Sequence, residues 1–281
     1  MNYRELIAAL TPLHGSGEAR AIVRMVMEER FHLSQTDLLL GKDTQLSATD
    51  RTEFEKIASR LIQGEPVQYV LGFADFCGHR FRVTPDVLIP RPETEELTRW
   101  AMDECLASNS PSSPCHILDL CTGSGCIAIS LALALPAARV TAVDISAAAL
   151  DVARHNAAAL GAANVTFVQN DVLISHLSSL ISCLVSNPPY VCQSEAVDMS
   201  ATVTDHEPSL ALFVPDEDPL LFYRAIARIG REVLVPGGRI MVELNAALAA
   251  STRQLFVDAG YNDVQLRNDQ FGKPRMLSAK R

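Results

Sequence analysis

From Cys115 to the C-terminus, short apolar runs alternate with longer segments of helical periodicity. CHILDL, ARVTAVD, NVTFVQND, ISCLVS and GGRIMVEL read as strands, with helices expected over 126–135, 147–160, 219–234 and 246–259. YNDVQLR and KPRMLSAK close the chain as two further strands, a candidate hairpin. Strands alternating with helices bury their apolar faces as a parallel sheet covered by helices on both sides. The expectation is an α/β fold with a mostly parallel, seven-stranded sheet. In such sheets ligands bind beyond the carboxyl ends of the strands.

The chain before that point differs in character. Over residues 1–65 apolar positions recur at helical spacing, as in Phe54, Ile57, Ala58, Leu61 and Ile62, with Ser47 a candidate N-cap and Gly64 a candidate stop. This predicts a small bundle of four or five helices. Residues 66–90, including QYVLGFADFCGHRFRV, read as a β-hairpin and linker. In VLIPRPETEEL, Pro90 and Pro92 make a rigid corner, the expected joint, and the acids that follow suit the first turn of a helix. A third region, 91–281, then carries the sheet, with SNSPSSP read as a loop within it.

The polar residues with chemical potential cluster at the strand ends. DLCTGSG follows the first strand, and Gly123 and Gly125 permit a tight turn and close backbone approach to a ligand. The spacing is neither that of the dinucleotide fingerprint nor that of a P-loop. Asp144 ends the second strand about 20 residues on, where one carboxylate can hold two ribose hydroxyls, or simply cap a helix. Asp171 ends the third, suited to a base edge or to capping. The fourth delivers VSNPPYV, in which two prolines stop the strand after Asn187.

Charge and cysteine usage narrow the partners. The net charge is −9, with 24 Lys+Arg against 33 Asp+Glu. No Lys or Arg occurs between Arg154 and Arg224, a stretch holding Asp171, Glu195, Asp198, Asp205, Glu207, Asp216, Glu217 and Asp218. Such a stretch is either a solvated acidic face or a surface that repels phosphate and attracts a basic protein, and the shortage of basic residues disfavours specific nucleic-acid binding. Seven cysteines without a CxxC fit a reducing cytoplasm better than a disulfide framework or a metal site. No signal peptide or membrane span is expected.

Glycine turn, acid, acid and NPPY at four successive strand ends together resemble the Rossmann-like S-adenosylmethionine-dependent methyltransferases that act on planar nitrogens. GEPVQYVLG, VLIPRPETEEL, DLCTGSG, VSNPPYV and HEPSLAL together are similar to the HemK/PrmC family, over nearly the whole chain. The resemblance implies methyl transfer to the glutamine side-chain amide of the Gly-Gly-Gln motif in class 1 peptide chain release factors. It implies S-adenosylmethionine contacts from Cys121, Thr122, Gly123, Ser124, Gly125, Asp144, Asp171, Val172 and Asn187. The substrate amide falls to Asn187, Pro188, Pro189 and Tyr190, with Asn187, Pro188 and Tyr190 as the catalytic set and substrate recognition assigned to the helical domain. No metal is implied.

Three stretches depart from the family pattern: Cys121 where glycine is common, VELN (242–245) for Glu-Ile-Gly, and DEDPLLFY (216–223) for Asp-Gly-Leu. His206 and Glu207 either order a lid or start a helix. Alternatives remain open: a ribosomal-protein glutamine methyltransferase, an adenine or guanine amino methyltransferase of DNA or RNA, which would need an extruded base, or a non-catalytic binding module.

Overall fold

The computed structural model describes residues 1–108, 115–174 and 179–281; residues 109–114 of the SNSPSSP stretch lie outside them. Packing separates the chain into two units. One comprises Met1–Phe73 with Ser200–His206, the other Ala74–Met199 with Glu207–Arg281.

The first unit is helical. It contains α1 (Tyr3–Phe31), α2 (Gln35–Leu39), α3 (Ala48–Ile62) and α4 (Val67–Leu71). α1 is broken at Gly15, whose φ of 77° lies outside the helical range. Ser47 caps α3 by accepting the Asp50 amide, as its position before the periodic segment predicted. Leu6, Leu10, Val23, Val26, Met27, Phe54 and Leu61 form the shared core. The sequence assigned QYVL to a hairpin. Val67–Leu71 is instead a helical turn capped by Gly72 in the left-handed conformation, and the hairpin starts only at Phe73. Pro66 opens that turn, so β-branched content was outweighed by a proline start and a glycine stop.

The second unit begins with the hairpin β1 (Phe73–Phe76) and β2 (His79–Arg82), followed by α5 (Pro92–Ser108). Then come β3 (His116–Leu120), α6 (Cys126–Ala134), β4 (Arg139–Asp144), α7 (Ala147–Leu160), β5 (Val165–Gln169), β6 (Ile181–Ser186) and β7 (Val191–Cys192). The short α8 (Ala201–Thr204) falls in the first unit. The second resumes with α9 (Ser209–Leu212), β8 (Phe213–Val214), α10 (Leu221–Val233), β9 (Leu234–Glu243), α11 (Ala249–Asp258), β10 (Asn262–Asn268) and β11 (Pro274–Lys280).

The main sheet has seven strands in the order β10-β11-β9-β6-β3-β4-β5. All pairs are parallel except those of β11 with β9 and with β10. Side chains alternate between the two faces. Ile117, Cys183, Val185 and Met241 pack with Leu97, Trp100 and the α6 residues on one side. Leu118, Leu184, Ile240 and Val242 pack with Tyr223, Ile226, Ile229 and Phe256 on the other. Burial on both faces is why these strands read as continuous apolar runs. Strand order reverses between β3 and β6, which creates a crevice at their carboxyl ends. Among the described residues no helix is long and apolar enough to cross a membrane.

Asn156, buried on α7, ties the hairpin to the sheet's loops. Its Oδ1 accepts the Arg82 amide at 2.8 Å, and its Nδ2 donates to the carbonyls of Arg82 and Ser124 at 3.0 and 2.9 Å. Asn156→Ala removes the partner of the buried Ser124 carbonyl and of the part-buried Arg82 amide and carbonyl. It is expected to lower unfolding free energy by about 1–3 kcal/mol, read from urea denaturation.

Candidate active site

β3 ends in a turn that bends back within a few residues. Cys121, Gly123 and Gly125 have φ of 61°, 54° and 80°. The Thr122 amide donates to the Val143 carbonyl at 3.0 Å and its hydroxyl to Asp119 Oδ2 at 2.6 Å. A Cβ at Gly125 would stand 2.8 Å from Ile129 Cδ1 and 3.1 Å from Ala153 Cβ, so only glycine lets α6 start there. A Cβ at Gly123 would meet nothing within 4 Å. Cys121 does carry a side chain in left-handed backbone, which costs about 1–2 kcal/mol relative to an unstrained position; this is the physical content of its departure from glycine. Burial first, then the Asp144 and Asp119 carboxylates, push its thiol up, so it stays protonated.

Asp144 closes β4 under this turn. Its Oδ2 accepts the Gly123 amide at 2.8 Å and its Oδ1 the Ser146 amide at 2.9 Å. Ser146, not Asp144, caps α7, which answers the capping reading. Each Asp144 oxygen retains a second acceptor site. Desolvation raises its pKa against those amide bonds. After β5, Asp171 Oδ1 accepts the Leu173 amide at 2.8 Å and Val172 is buried.

These strand ends wall a cavity of about 200 Å³. Cys121, Thr122, Gly123, Ser124, Asp144, Asp171, Val172, Asn187 and Pro189 all line it. Gly125, Pro188 and Tyr190 do not. The chemistry fits an adenosyl sulfonium: a carboxylate placed for a diol, apolar walls from Ile145, Val172, Leu173 and Phe222 for an aromatic base, and negative charge for a cation. Beneath the turn, Asp119 Oδ1 is buried without a hydrogen-bond partner among the described residues.

Beyond β6, Asn187 is held from behind. Its Nδ2 donates to Thr94 Oγ1 at 2.9 Å, and Thr94 donates to Glu243 Oε2 at 2.6 Å. The Tyr190 hydroxyl donates to Glu243 Oε1 at 2.9 Å. Thr94 and Glu243 are 3 % and 1 % exposed. Burial raises the Glu243 pKa, while the Thr94 and Tyr190 hydroxyls and the Arg275 charge pull it back. Among the described residues no protein donor engages Asn187 Oδ1 or the Pro188 carbonyl.

Sequence reasoning missed several of these groups. Thr94 and Glu243 were read only as parts of a joint and of a departure; Glu243 ends β9 just as Asp144 ends β4, and that parallel was the available signal. Asn245, also in VELN, donates to the Tyr190 carbonyl at 3.3 Å and to Glu195. The IPRPETE stretch belongs to the cavity wall through Pro90, Arg91 and Thr94. In HEPSLAL, Glu207 accepts the Ile89 amide at 3.1 Å and pairs with Arg91, while Pro208, Leu210 and Ala211 line the cavity. In DEDPLLFY, Asp216 accepts from the Ser194 amide and hydroxyl, Phe222 lines the cavity, and the Tyr223 hydroxyl donates to the Glu243 carbonyl.

Comparison with known proteins adds identity to geometry. A family profile described as PrmC N-terminal domain matches residues 4–72, and one described as Methyltransferase small domain matches residues 103–205. The chain is 44% identical to a release factor glutamine methyltransferase of Bacteroides thetaiotaomicron, covering 97% of this chain and 96% of that protein. It is 38% identical to the protein of that name from Flavobacterium psychrophilum, covering 98% and 97%. Among solved structures, the hMettl16 catalytic domain in complex with a 3'UTR hairpin shares the fold, at a TM-score of 0.55 and 14% identity over 71% of this chain and 74% of that one.

Asp119 generates a pH prediction. Desolvation, opposed by the Thr122 and Ala128 hydrogen bonds, raises its pKa to about 7 from 3.8. The folded state therefore holds a proton that the unfolded state has released, so stability falls as pH rises between these values and is level above. Asp119→Asn removes that slope. From pH 5 to pH 8 the variant should gain roughly 1–3 kcal/mol relative to wild type in chemical denaturation.

Proposed function

The chain belongs to the release factor glutamine methyltransferases, and from that membership we propose how its own residues carry the reaction. It transfers a methyl group from S-adenosylmethionine to the side-chain amide nitrogen of glutamine in the Gly-Gly-Gln motif of class 1 peptide chain release factors. The observation that carries this reading is Asn187 at the end of β6, pinned through its Nδ2 with Oδ1 left free, beside a cavity suited to the methyl donor. Neither the ribosomal-protein nor the nucleic-acid alternative is favoured by any feature of the site.

Bound S-adenosylmethionine supplies an electrophilic methyl group on a sulfonium. Asp144 takes the ribose hydroxyls, Asp171 and Val172 flank the base, and the turn from Cys121 to Gly125 follows the methionine end. A glutamine amide nitrogen is a weak nucleophile because its lone pair is delocalised. Asn187 Oδ1 and the Pro188 carbonyl each accept one of its N–H bonds, which turns the nitrogen's remaining face toward the cavity. Pro188 and Pro189 fix the backbone carrying both acceptors. The hydrogen-bonded N–H grows more acidic as the nitrogen bonds to methyl, and one proton then passes from it to water, so no strong base need act first. Tyr190 supports the amide site, its hydroxyl anchored on Glu243. Orientation of this kind supplies several kcal/mol, up to about 7–11 in the best intramolecular cases.

The helical first unit serves substrate recognition, and the acidic stretch between Arg154 and Arg224 favours a basic protein over a nucleic acid. Seven free cysteines support a cytoplasmic setting.

The direct test is mass spectrometry of the release factor's Gly-Gly-Gln peptide with and without enzyme, nucleic acid being offered in parallel; methylation confined to nucleic acid overturns the reading. Asn187→Ala is expected to cut turnover by about 10²–10³-fold with methyl-donor affinity preserved. Asp144→Ala should weaken methyl-donor binding, and an unchanged dissociation constant by calorimetry would remove the ribose assignment.

A further inference from the structure

We propose that Glu243 is a positioning residue that fixes which end of the Asn187 amide faces the substrate, through the relay Glu243–Thr94–Asn187. The proposal rests on Asn187 Oδ1 being the substrate's acceptor, as argued above.

The relay has a direction. Both Glu243 oxygens accept hydroxyls, Oε2 from Thr94 and Oε1 from Tyr190, the pattern of an ionised carboxylate. The Thr94 hydroxyl has a single proton, and the carboxylate takes it. What Thr94 then offers Asn187 is a lone pair, which can bind only the NH2 end of the amide. Oδ1 is left as the end available to the substrate. With the amide reversed, Oδ1 would confront the Thr94 oxygen, and the NH2 would confront the substrate's own NH2. A buried charge two hydrogen bonds away thus selects an acceptor at the site. Thr94 can transmit it because α5 places this side chain between β9 and the end of β6, in a buried setting where water offers no substitute partner.

Glu243→Gln is the informative variant because it is isosteric. The Tyr190 hydroxyl has no other acceptor among the described residues, so it claims the Gln oxygen. The Gln NH2 then donates to Thr94, whose proton turns to Asn187 and binds Oδ1. Every group stays satisfied, yet the relay runs backwards.

The test combines kinetics, melting and NMR. Glu243→Gln is expected to lower kcat on the Gly-Gly-Gln substrate on the order of 10²-fold, with methyl-donor affinity kept. Its melting temperature should equal or exceed that of wild type, because a buried charge has been removed. In a Thr94→Val background the relay is cut, and adding Glu243→Gln should change kcat little further. A side-chain NOE between the Asn187 NH2 and the Thr94 methyl, expected in wild type from the 2.9 Å contact of Asn187 Nδ2 with Thr94 Oγ1, should be lost in Glu243→Gln.

Wild-type kcat in Glu243→Gln overturns the proposal. So does an equal loss in both backgrounds together with a lowered melting temperature, which marks a structural role, or persistence of the NOE. Should wild type fail to methylate the glutamine, the functional reading falls, while the NOE still tests the polarity of the relay without substrate.

Discussion

The structure depends on the pairing of β3 with parallel neighbours on both sides. β3 and β6, adjacent in the sheet, start helical crossovers in opposite directions, so the loops leaving their carboxyl ends part and expose a crevice. Register keeps the exits level: Leu120 pairs with Val143 on one side and Ser186 on the other. The Ser186 hydroxyl also donates to the Leu120 carbonyl at 2.7 Å, closing the ladder where the chain must leave it. A slip by one residue would exchange the faces of every strand side chain and carry the site's polar groups out of line.

Along that edge the sheet's apolar core meets a row of carboxylates with fixed partners. Asp119 holds the turn and the start of α6, Asp144 holds the Gly123 amide, and Glu243 holds Thr94 and Tyr190. Each is desolvated, and each has its pKa raised chiefly by that burial. Burying carboxylates costs stability unless hydrogen bonds repay it. Their value is orientation: a low-dielectric setting strengthens each hydrogen bond and fixes where the remaining lone pairs point.

Much of this was legible because it is local. Short apolar runs marked the strands, and α7 and β6 occupy the residues the pattern assigned to them. Glycines in left-handed backbone, an acid closing a strand and a double proline carry chemistry within a few residues. The Val67–Leu71 turn was misread because its helical signal is a proline and a glycine at its ends rather than its interior. Glu207 was read as lid or cap, whereas its partners Ile89 and Arg91 lie more than a hundred residues upstream.

The sequence by itself determined the α/β class, the order of the strands along the chain and the polar residues ending β3, β4, β5 and β6, because hydrophobic periodicity and backbone-restricting residues act over short range. Only the tertiary structure decided that Thr94 and Glu243, 149 residues apart, share a hydrogen bond behind Asn187. That contact depends on β9 pairing with β6 and on α5 packing against both, and no local pattern encodes it. Side-chain hydrogen bonds have directions, and a direction exists only once donor and acceptor have been brought face to face.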